Sequence, residues 1–494
     1  MCAWQTPLHA VAQLQSVEQL AQDISKSTPF EAITGVTPLM DTLAAAPEAT
    51  LAERVQMIFS LDEAAQLHAR SYIERFLALE PCYASERRSL WALGRGYWAT
   101  VLDAYAELLG ALQAEAQEGA DPEQVAQVAV RMIRAGVLRA KWDAFGGSAM
   151  DGALWSRLNA AYALAIRSGA ETLLVRPRAD RTTETTAERE YLRALALSSL
   201  SLEQLDPMRV EVATSMVHYV LPLLELTDTP SSTSSVWVDV ARLMAPARLI
   251  ASPGELALPR YFCGVAAALS LQGLLDLAMA GGLPPGLPLQ REGGAEVVAG
   301  VLSRMIRIWN NDAPTRRHRR LPMAGQMLVV AGFPHFLAQL LGSEANPALW
   351  QLRDASLQGI GVRLDVAELG RLKVGTLIGF KPTDGEHWCL GVVRRFKRSG
   401  WREAASCDQV TVGVEKLGAA PEVVAADDGL QPLHVFLLDP IQKNVPLRVV
   451  VPVPGPMSNQ ALYLVGQSKT IKLTPLDNLD FGVDFAVRTY LYTA

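Results

Sequence analysis

The chain has 494 residues, too many for one ordinary hydrophobic core, and this length points to roughly two to four domains. Half of the residues are hydrophobic, while a formal charge of -6 and a pI near 5.8 argue against a general nucleic-acid coat or a polybasic membrane binder, both of which carry a net positive field. The five cysteines, at positions 2, 82, 263, 389 and 407, have no close spacing and read as thiols of a reducing compartment rather than a disulfide or metal framework.

The amino terminus, Met1-Cys2-Ala3-Trp4-Gln5-Thr6-Pro7, lacks the basic region and unbroken apolar run of a secretory signal. The most apolar helical stretch, Tyr261 to Leu283, contains Gln272 and Asp276 and is broken by Gly273, Gly281 and Gly282. A membrane span wants about 20 apolar residues without such interruptions, so this stretch reads as a buried helix. The expected setting is the cytoplasm, with no stable membrane insertion.

Helical signals run from residue 9 to 309. Thr50-Leu51-Ala52-Glu53 has the form of a capping box, in which hydroxyl and carboxylate satisfy the free amides of a first turn. Asp121-Pro122 and Asp206-Pro207 place a capping carboxylate before a proline at the first helical position. After Asp121, the residues Val125, Val128, Met132 and Gly136 return at three- and four-residue steps with Arg131, Arg134 and Arg139 between them, the pattern of an amphipathic helix packed on neighbours. Further helices are predicted near 51–79, 86–117, 150–169, 186–200, 207–226, 259–280 and 295–309. They imply an all-α bundle or solenoid-like array without a fixed repeat. The breaks at Arg176 to Thr186, Thr227 to Ser235 and Gly281 to Gly294 read as surface loops.

Catalytic signatures are missing from this half. His9, His68 and His218 have no partner at metal-ligand spacing, no phosphate-cradling glycine loop precedes a helix, and Ser148 has the wrong neighbours for a nucleophile elbow. Neither catalytic nor metal-binding residues are predicted. The helical half reads as a module for packing, contact with a protein partner, or formation of a homo-oligomer.

Helix 295–309 ends at Trp309-Asn310-Asn311-Asp312-Ala313-Pro314-Thr315, and Arg316-Arg317-His318-Arg319-Arg320 follows directly. Downstream the period shortens. Strands are predicted at Gln326–Gly332, Leu349–Arg353, Gly361–Leu364, Gly375–Lys381, Trp388–Phe396 and Gln409–Lys416, a set suited to a small barrel. In the second strand Trp350 and Leu352 face inward while Gln351 and Arg353 face out. A helical turn or lid is predicted at His335–Leu341. More β-rich sequence follows at Leu433–Leu438, Leu447–Val453, Ala461–Leu464 and Thr470–Leu473, as an extension of the barrel or a separate small domain.

Two motifs in this half, taken together, resemble the PilZ domain: Arg-x-x-x-Arg from Arg316 to Arg320, and Asp-x-Ser-x-x-Gly from Asp354 to Gly359 at the end of a strand. Leu390-Gly391-Val392-Val393-Arg394-Arg395 and Thr411-Val412-Gly413-Val414-Glu415 are similar to that family's late strands. The resemblance covers roughly residues 313–420. It implies a PilZ-like six-stranded β-barrel and a bacterial receptor for the second messenger cyclic di-GMP, with outputs such as motility or biofilm formation, and with no cofactor beyond this regulatory ligand.

The resemblance also implies site roles. Arg316 and Arg320 hold phosphates and guanine edges, since the guanidinium fork suits both, and Arg317 and Arg319 either assist or are solvated or paired with acids. Asp354 accepts from guanine N1 and N2 donors, Ser356 offers a hydroxyl, and Gly359 permits a tight turn and close approach. Read alone, Asp354, Ser356 and Gly359 are residues that shape a turn; opposite the arginine arm they read as ligand-binding. A second basic segment, Arg394, Arg395, Lys397, Arg398 and Arg402 around Trp401, reads as a solvated strand end, a support for ligand phosphates, or a docking face.

The expected fold is therefore multidomain: an all-α N-terminal region (1–309), a linker and ligand-binding arm (310–320), an all-β PilZ-like barrel (321–420) and a β-rich C-terminal extension (421–494). The expected function couples cyclic di-GMP binding to reorientation of a helical, partner-binding domain. Its rival is a ligand-independent scaffold with a degenerate PilZ domain. Net acidity and few aromatics near the arm count against binding of a nucleic acid polymer.

Overall fold

A computed structural model describes residues 14–44, 49–79, 83–115, 121–178, 183–250, 253–283, 294–310, 321–343, 346–365, 372–398, 409–456, 460–465 and 470–492. Two compact units divide the chain at Pro314 and Thr315.

The first unit is helical. In chain order its helices are α1 (Leu14–Lys26), α2 (Pro29–Ala44), α3 (Leu51–Ala78), α4 (Ala84–Glu115), α5 (Pro122–Phe145), α6 (Gly152–Arg167), α7 (Ala187–Ser199), α8 (Pro207–Val220), α9 (Val265–Met279) and α10 (Gly294–Trp309). Local chemistry starts several of them. The Glu53 amide donates to Thr50 Oγ1 at 3.3 Å and the Thr50 amide donates to the Glu53 carboxylate at 2.8 Å, completing the capping box of α3. Asp121 and Asp206 cap α5 and α8 ahead of Pro122 and Pro207, accepting from the amides of Glu123 and Arg209 at 3.1 and 3.0 Å.

Helix α5 is the centre of this unit and is buried on nearly every side. Its interspersed basic residues do not form a solvent face, as an amphipathic pattern suggests. Arg131 pairs with Glu63 of α3 at 2.5 Å, Arg134 with Glu190 of α7 at 3.2 Å, and Lys141 with Glu211 of α8. Arg131 and Lys141 lie inside, and Arg134 half inside, because acids from distant helices meet them there, which is the condition for burying a charge at tolerable cost.

Between α8 and α9 the chain also forms a small antiparallel sheet. Strands β1 (Glu225–Thr227), β2 (Val236–Asp239), β3 (Ala247–Arg248) and β4 (Pro259–Cys263) pair in the order β1-β4-β2-β3. The helix predicted over 259–280 thus begins as a strand and becomes helical only at Val265, and the helix predicted over 207–226 stops at Val220. Asp239, fully buried, holds this corner by accepting from the amides of Ala241, Ala257 and Leu258. At the unit's end Trp309 is completely buried, and its indole N–H donates to Ser199 Oγ at 3.0 Å. The last helix before the arginine segment is therefore anchored at its final residue.

The second unit contains two closed six-stranded barrels. The first is built from β5 (Leu321–Ala331), β6 (Ala348–Ser356), β7 (Gly359–Asp365), β8 (Leu377–Pro382), β9 (Cys389–Arg398) and β10 (Gln409–Ala419), with helix α11 (Phe333–Leu340) between β5 and β6. Its strand order is β10-β7-β6-β5-β8-β9. The second barrel comprises β11 (Glu422–Asp427), β12 (Pro432–Leu437), β13 (Pro446–Pro452), β14 (Leu462–Val465), β15 (Thr470–Phe481) and β16 (Phe485–Tyr492), in the order β11-β12-β13-β16-β15-β14. The C-terminal sequence is thus a barrel in its own right.

Each barrel has its own apolar interior, and a further apolar cluster spans both. Val330, Phe333, Phe336, Leu377, Leu390 and Val392 pack there with Phe436, Val450, Phe485 and Val487. This is why Met327–Ala331 and Val449–Val451 read as unbroken apolar runs: alternate residues face the strand's own barrel and the neighbouring one. Asp484, in the β15–β16 turn, reinforces the junction by accepting from the amides of Phe333 at 2.5 Å and Leu377 at 3.3 Å. Replacing Asp484 by alanine leaves two amides without their acceptor and should cost about 2 kcal/mol of stability. Urea denaturation of the variant measures this, and an unchanged midpoint contradicts it.

Candidate functional site

The outer face of the first barrel carries the described residues of the proposed site. Strands β6 and β7 form a hairpin joined by Leu357 and Gln358, with Ser356 paired to Gly359 and Asp354 paired to Gly361. Period-two alternation from Trp350 and Leu352, which pack toward the barrel interior, sends Asp354 inward as well. A bulge between Leu352 and Asp354 prevents this. Arg353 is the extra residue; beyond it Ala355 packs against the interior, so Asp354 and Ser356 stand on the outer face.

The local geometry explains each residue type. The carboxylate of Asp354 accepts from Arg353 Nε at 3.0 Å and pairs with Nη2 at 2.9 Å. It lies where a side chain of Gly361 would stand: a carbon placed there would fall 2.6 Å from Asp354 Oδ1. Asp354 is only 8% exposed. The hydroxyl of Ser356 donates to the carbonyl oxygen of Gly359 at 3.2 Å, closing the hairpin. Gly359 is required for close approach, because a side-chain carbon at this position would collide with the carbonyl oxygen of Val414 on β10.

Asp354, Ser356 and Gly359 are therefore brought together on one hairpin, with Asp354 and Gly359 buried and Ser356 half-buried. Arg316, Arg317, Arg319 and Arg320 lie outside the described residues. Covalent continuity still limits where they reach. Strand β5 begins at Leu321, which pairs with Ala355, and the next residue, Pro322, pairs with Asp354. Arg320 is one residue from this register and Arg316 five, so covalent geometry limits Arg316 to at most about 18 Å from Leu321.

The second basic segment divides at a second bulge. Gly413 pairs with Arg395 and Val414 with Val393, leaving Arg394 extra. Arg394 is exposed and its Nε donates to Glu415 at 2.7 Å. Arg395 instead lies along Gly413, with its Cγ and Nε each 2.6 Å from where a side-chain carbon of that glycine would be. Sequence reasoning grouped these arginines together; the bulge that separates them has no signature such as a glycine or proline within Val393-Arg394-Arg395.

Among the described residues no cluster of histidine, cysteine, aspartate or glutamate is arranged to hold a metal ion, and no helix is long and apolar enough to cross a membrane.

Comparison with known families bears on the other unit. Residues 15–231 match the family model described as the N-terminal domain of the cyclic-di-GMP receptor FimW. The matched region runs from α1 to just short of β2 and includes neither barrel. No curated protein matches the chain.

Proposed function

We propose that the chain is a cyclic di-GMP receptor that does no chemistry of its own. One observation carries the proposal: two parts of the chain that do not overlap point to the same ligand. Residues 15–231 resemble a domain of a cyclic-di-GMP receptor, and the motif pair Arg316–Arg320 and Asp354–Gly359 resembles the PilZ site. The finer reading is that the first barrel is a PilZ domain of a bacterial, cytoplasmic protein whose helical region engages a protein partner.

Chemistry supports these assignments. Cyclic di-GMP carries two phosphates and two guanines. An ionised carboxylate offers only acceptors, so Asp354 suits the N1 and N2 donors of a guanine. Arginine forks at 316 and 320 suit phosphate oxygens and the O6 and N7 edge, and the start of β5 opposite Ala355 and Asp354 supports a site shared with them.

Ligand capture would act on the segment that joins two fixed points, Trp309 in the helical unit and the start of β5. Ordering this segment on the barrel would bias the arrangement of the two units, a population shift driven by contacts made in only one state. Hydrogen exchange with and without saturating cyclic di-GMP tests both parts. Protection is expected at residues 316–322 and 354–361, with a second change in α10. Protection confined to the barrel removes the coupling and leaves the receptor; identical exchange throughout removes both and favours a ligand-independent scaffold.

A further inference from the structure

The two barrels of the second unit are connected in the same way. With the strands of each numbered along the chain, strand one pairs with strands two and four, strand three with two and six, and strand five with four and six, every pair antiparallel. Strands β11 to β16 therefore repeat β5 to β10 strand for strand.

In the first barrel the candidate site lies where the chain enters strand one and where it leaves strand two. The repeat treats both places differently. Strand β11 follows β10 after only Ala420 and Pro421, so no arginine segment precedes it. An acid does stand at the exit of strand two, Asp439, just past β12, but both of its oxygens are taken. Arg448 of β13 donates to Oδ2 through its amide and its Nε, each at 2.9 Å, and to Oδ1 through Nη2 at 2.7 Å. A guanidinium edge presents two parallel N–H donors, as guanine N1 and N2 do, so Arg448 gives Asp439 what a guanine would give Asp354.

The remaining fork of Arg448 reaches the first barrel, where Nη1 donates to the carbonyl oxygen of Leu417 at 3.1 Å. Lys416 pairs with Gly391 and Gly418 with Leu390, so Leu417 is the extra residue of a bulge in β10 and stands outside the paired register. The residues just before it carry the motif hairpin. The Lys416 amide donates to the carbonyl oxygen of Gln358 at 2.9 Å, and Glu415 pairs with Gly359.

We propose that the second barrel is a structural repeat of the first that takes no nucleotide, and that its Arg448 is a positioning residue for the first barrel's site. Arg448 braces β10 at Leu417, and β10 in turn holds the hairpin of Asp354, Ser356 and Gly359. This rests on the reading of the chain as a cyclic di-GMP receptor. Arg448 and Asp439 keep 41% and 31% of their side chains in solvent, so the pair adds little to global stability and its loss should show in the placement of the hairpin.

Calorimetric titration of the full chain with cyclic di-GMP, beside melting curves, tests this in wild type, Arg448→Met and Asp439→Asn. Arg448→Met should weaken binding on the order of tenfold, as loss of a residue that orients a binding group does, and hydrogen exchange at the Lys416 amide should speed up. Asp439→Asn keeps an acceptor for Arg448 and should lose about threefold, since bonds to a neutral acceptor are roughly half as strong; it carries the test if Arg448→Met does not fold. A lower melting temperature with unchanged affinity in both variants makes Arg448 merely structural and overturns the inference while the receptor reading stands. A binding step of wild-type affinity that survives Asp354→Ala and is lost in Asp439→Ala places a nucleotide on the second barrel and also overturns it. If the wild type binds no cyclic di-GMP, the receptor reading fails as well.

Discussion

Replacing Asp62 by alanine is expected to destabilise the helical unit by about 3–5 kcal/mol, the range found when one partner of a buried charged network is removed. Asp62 is 1% exposed. Its carboxylate accepts from the hydroxyls of Tyr105 at 2.6 Å and Tyr97 at 3.3 Å. Both phenols are fully buried, and desolvation first, then the neighbouring Asp62 charge, pushes them well above their ordinary range. Close by, Arg131 pairs with Glu63 and stacks 3.8 Å from the centre of the Phe59 ring.

Alanine would strand two phenolic donors in an apolar interior and remove a negative charge that favours ionised Arg131. Against a typical total of 5–15 kcal/mol for a domain, the loss is large enough to unfold a substantial fraction of molecules on mild heating. Asp62→Asn, which keeps an acceptor and loses the charge, should fall between. Urea denaturation followed by helical circular dichroism reads the effect; a change below about 1 kcal/mol contradicts this account of the bundle's core.

At the barrel, Asp354→Ala should weaken cyclic di-GMP binding about a hundredfold, since hydrogen bonds to a charged group contribute roughly 1.5–3 kcal/mol and each 1.4 kcal/mol is tenfold. The substitution also empties the space over Gly361 that the carboxylate fills. The folding cost through the Arg353 pair should be smaller, because Arg353 keeps 41% of its side chain in solvent and can hydrate once released. Asp354→Asn retains one acceptor oxygen and should lose less affinity. A melting temperature close to wild type combined with weak binding separates recognition from folding; equal affinity in Asp354→Ala removes this residue from the site.

Much of this architecture was legible because it is set locally. Thr50 with Glu53, and Asp121 and Asp206 each before a proline, fix helix starts through contacts within three residues. The strands of the first barrel followed from alternation, and Asp354, Ser356 and Gly359 were readable as a group because they share one hairpin. What escaped the sequence depends on distant partners. The bulge at Arg353 decides which way Asp354 faces, yet Leu-Arg-Asp-Ala carries no turn residue to announce it. Gly361 and Gly413 become neighbours only through β-sheet register, and the two-to-five-residue strands β1 to β4 are too short to show an alternation, so β1 and β4 read as the ends of the helices predicted over 207–226 and 259–280. Buried Arg131 and Lys141 resemble a solvent face until Glu63 and Glu211 arrive from other helices. Strands β11 and β16 were not predicted, although β16 carries buried Phe485, Val487 and Tyr490.

Cyclic di-GMP is expected to bind between the arginine segment and the outer face of the first barrel. Isothermal titration of the full chain, beside Arg320→Ala, tests it most directly. Saturable binding of cyclic di-GMP at micromolar protein, weakened at least tenfold by the substitution, is the predicted result. No binding by the wild type, or superimposable isotherms from wild type and Arg320→Ala, would contradict it.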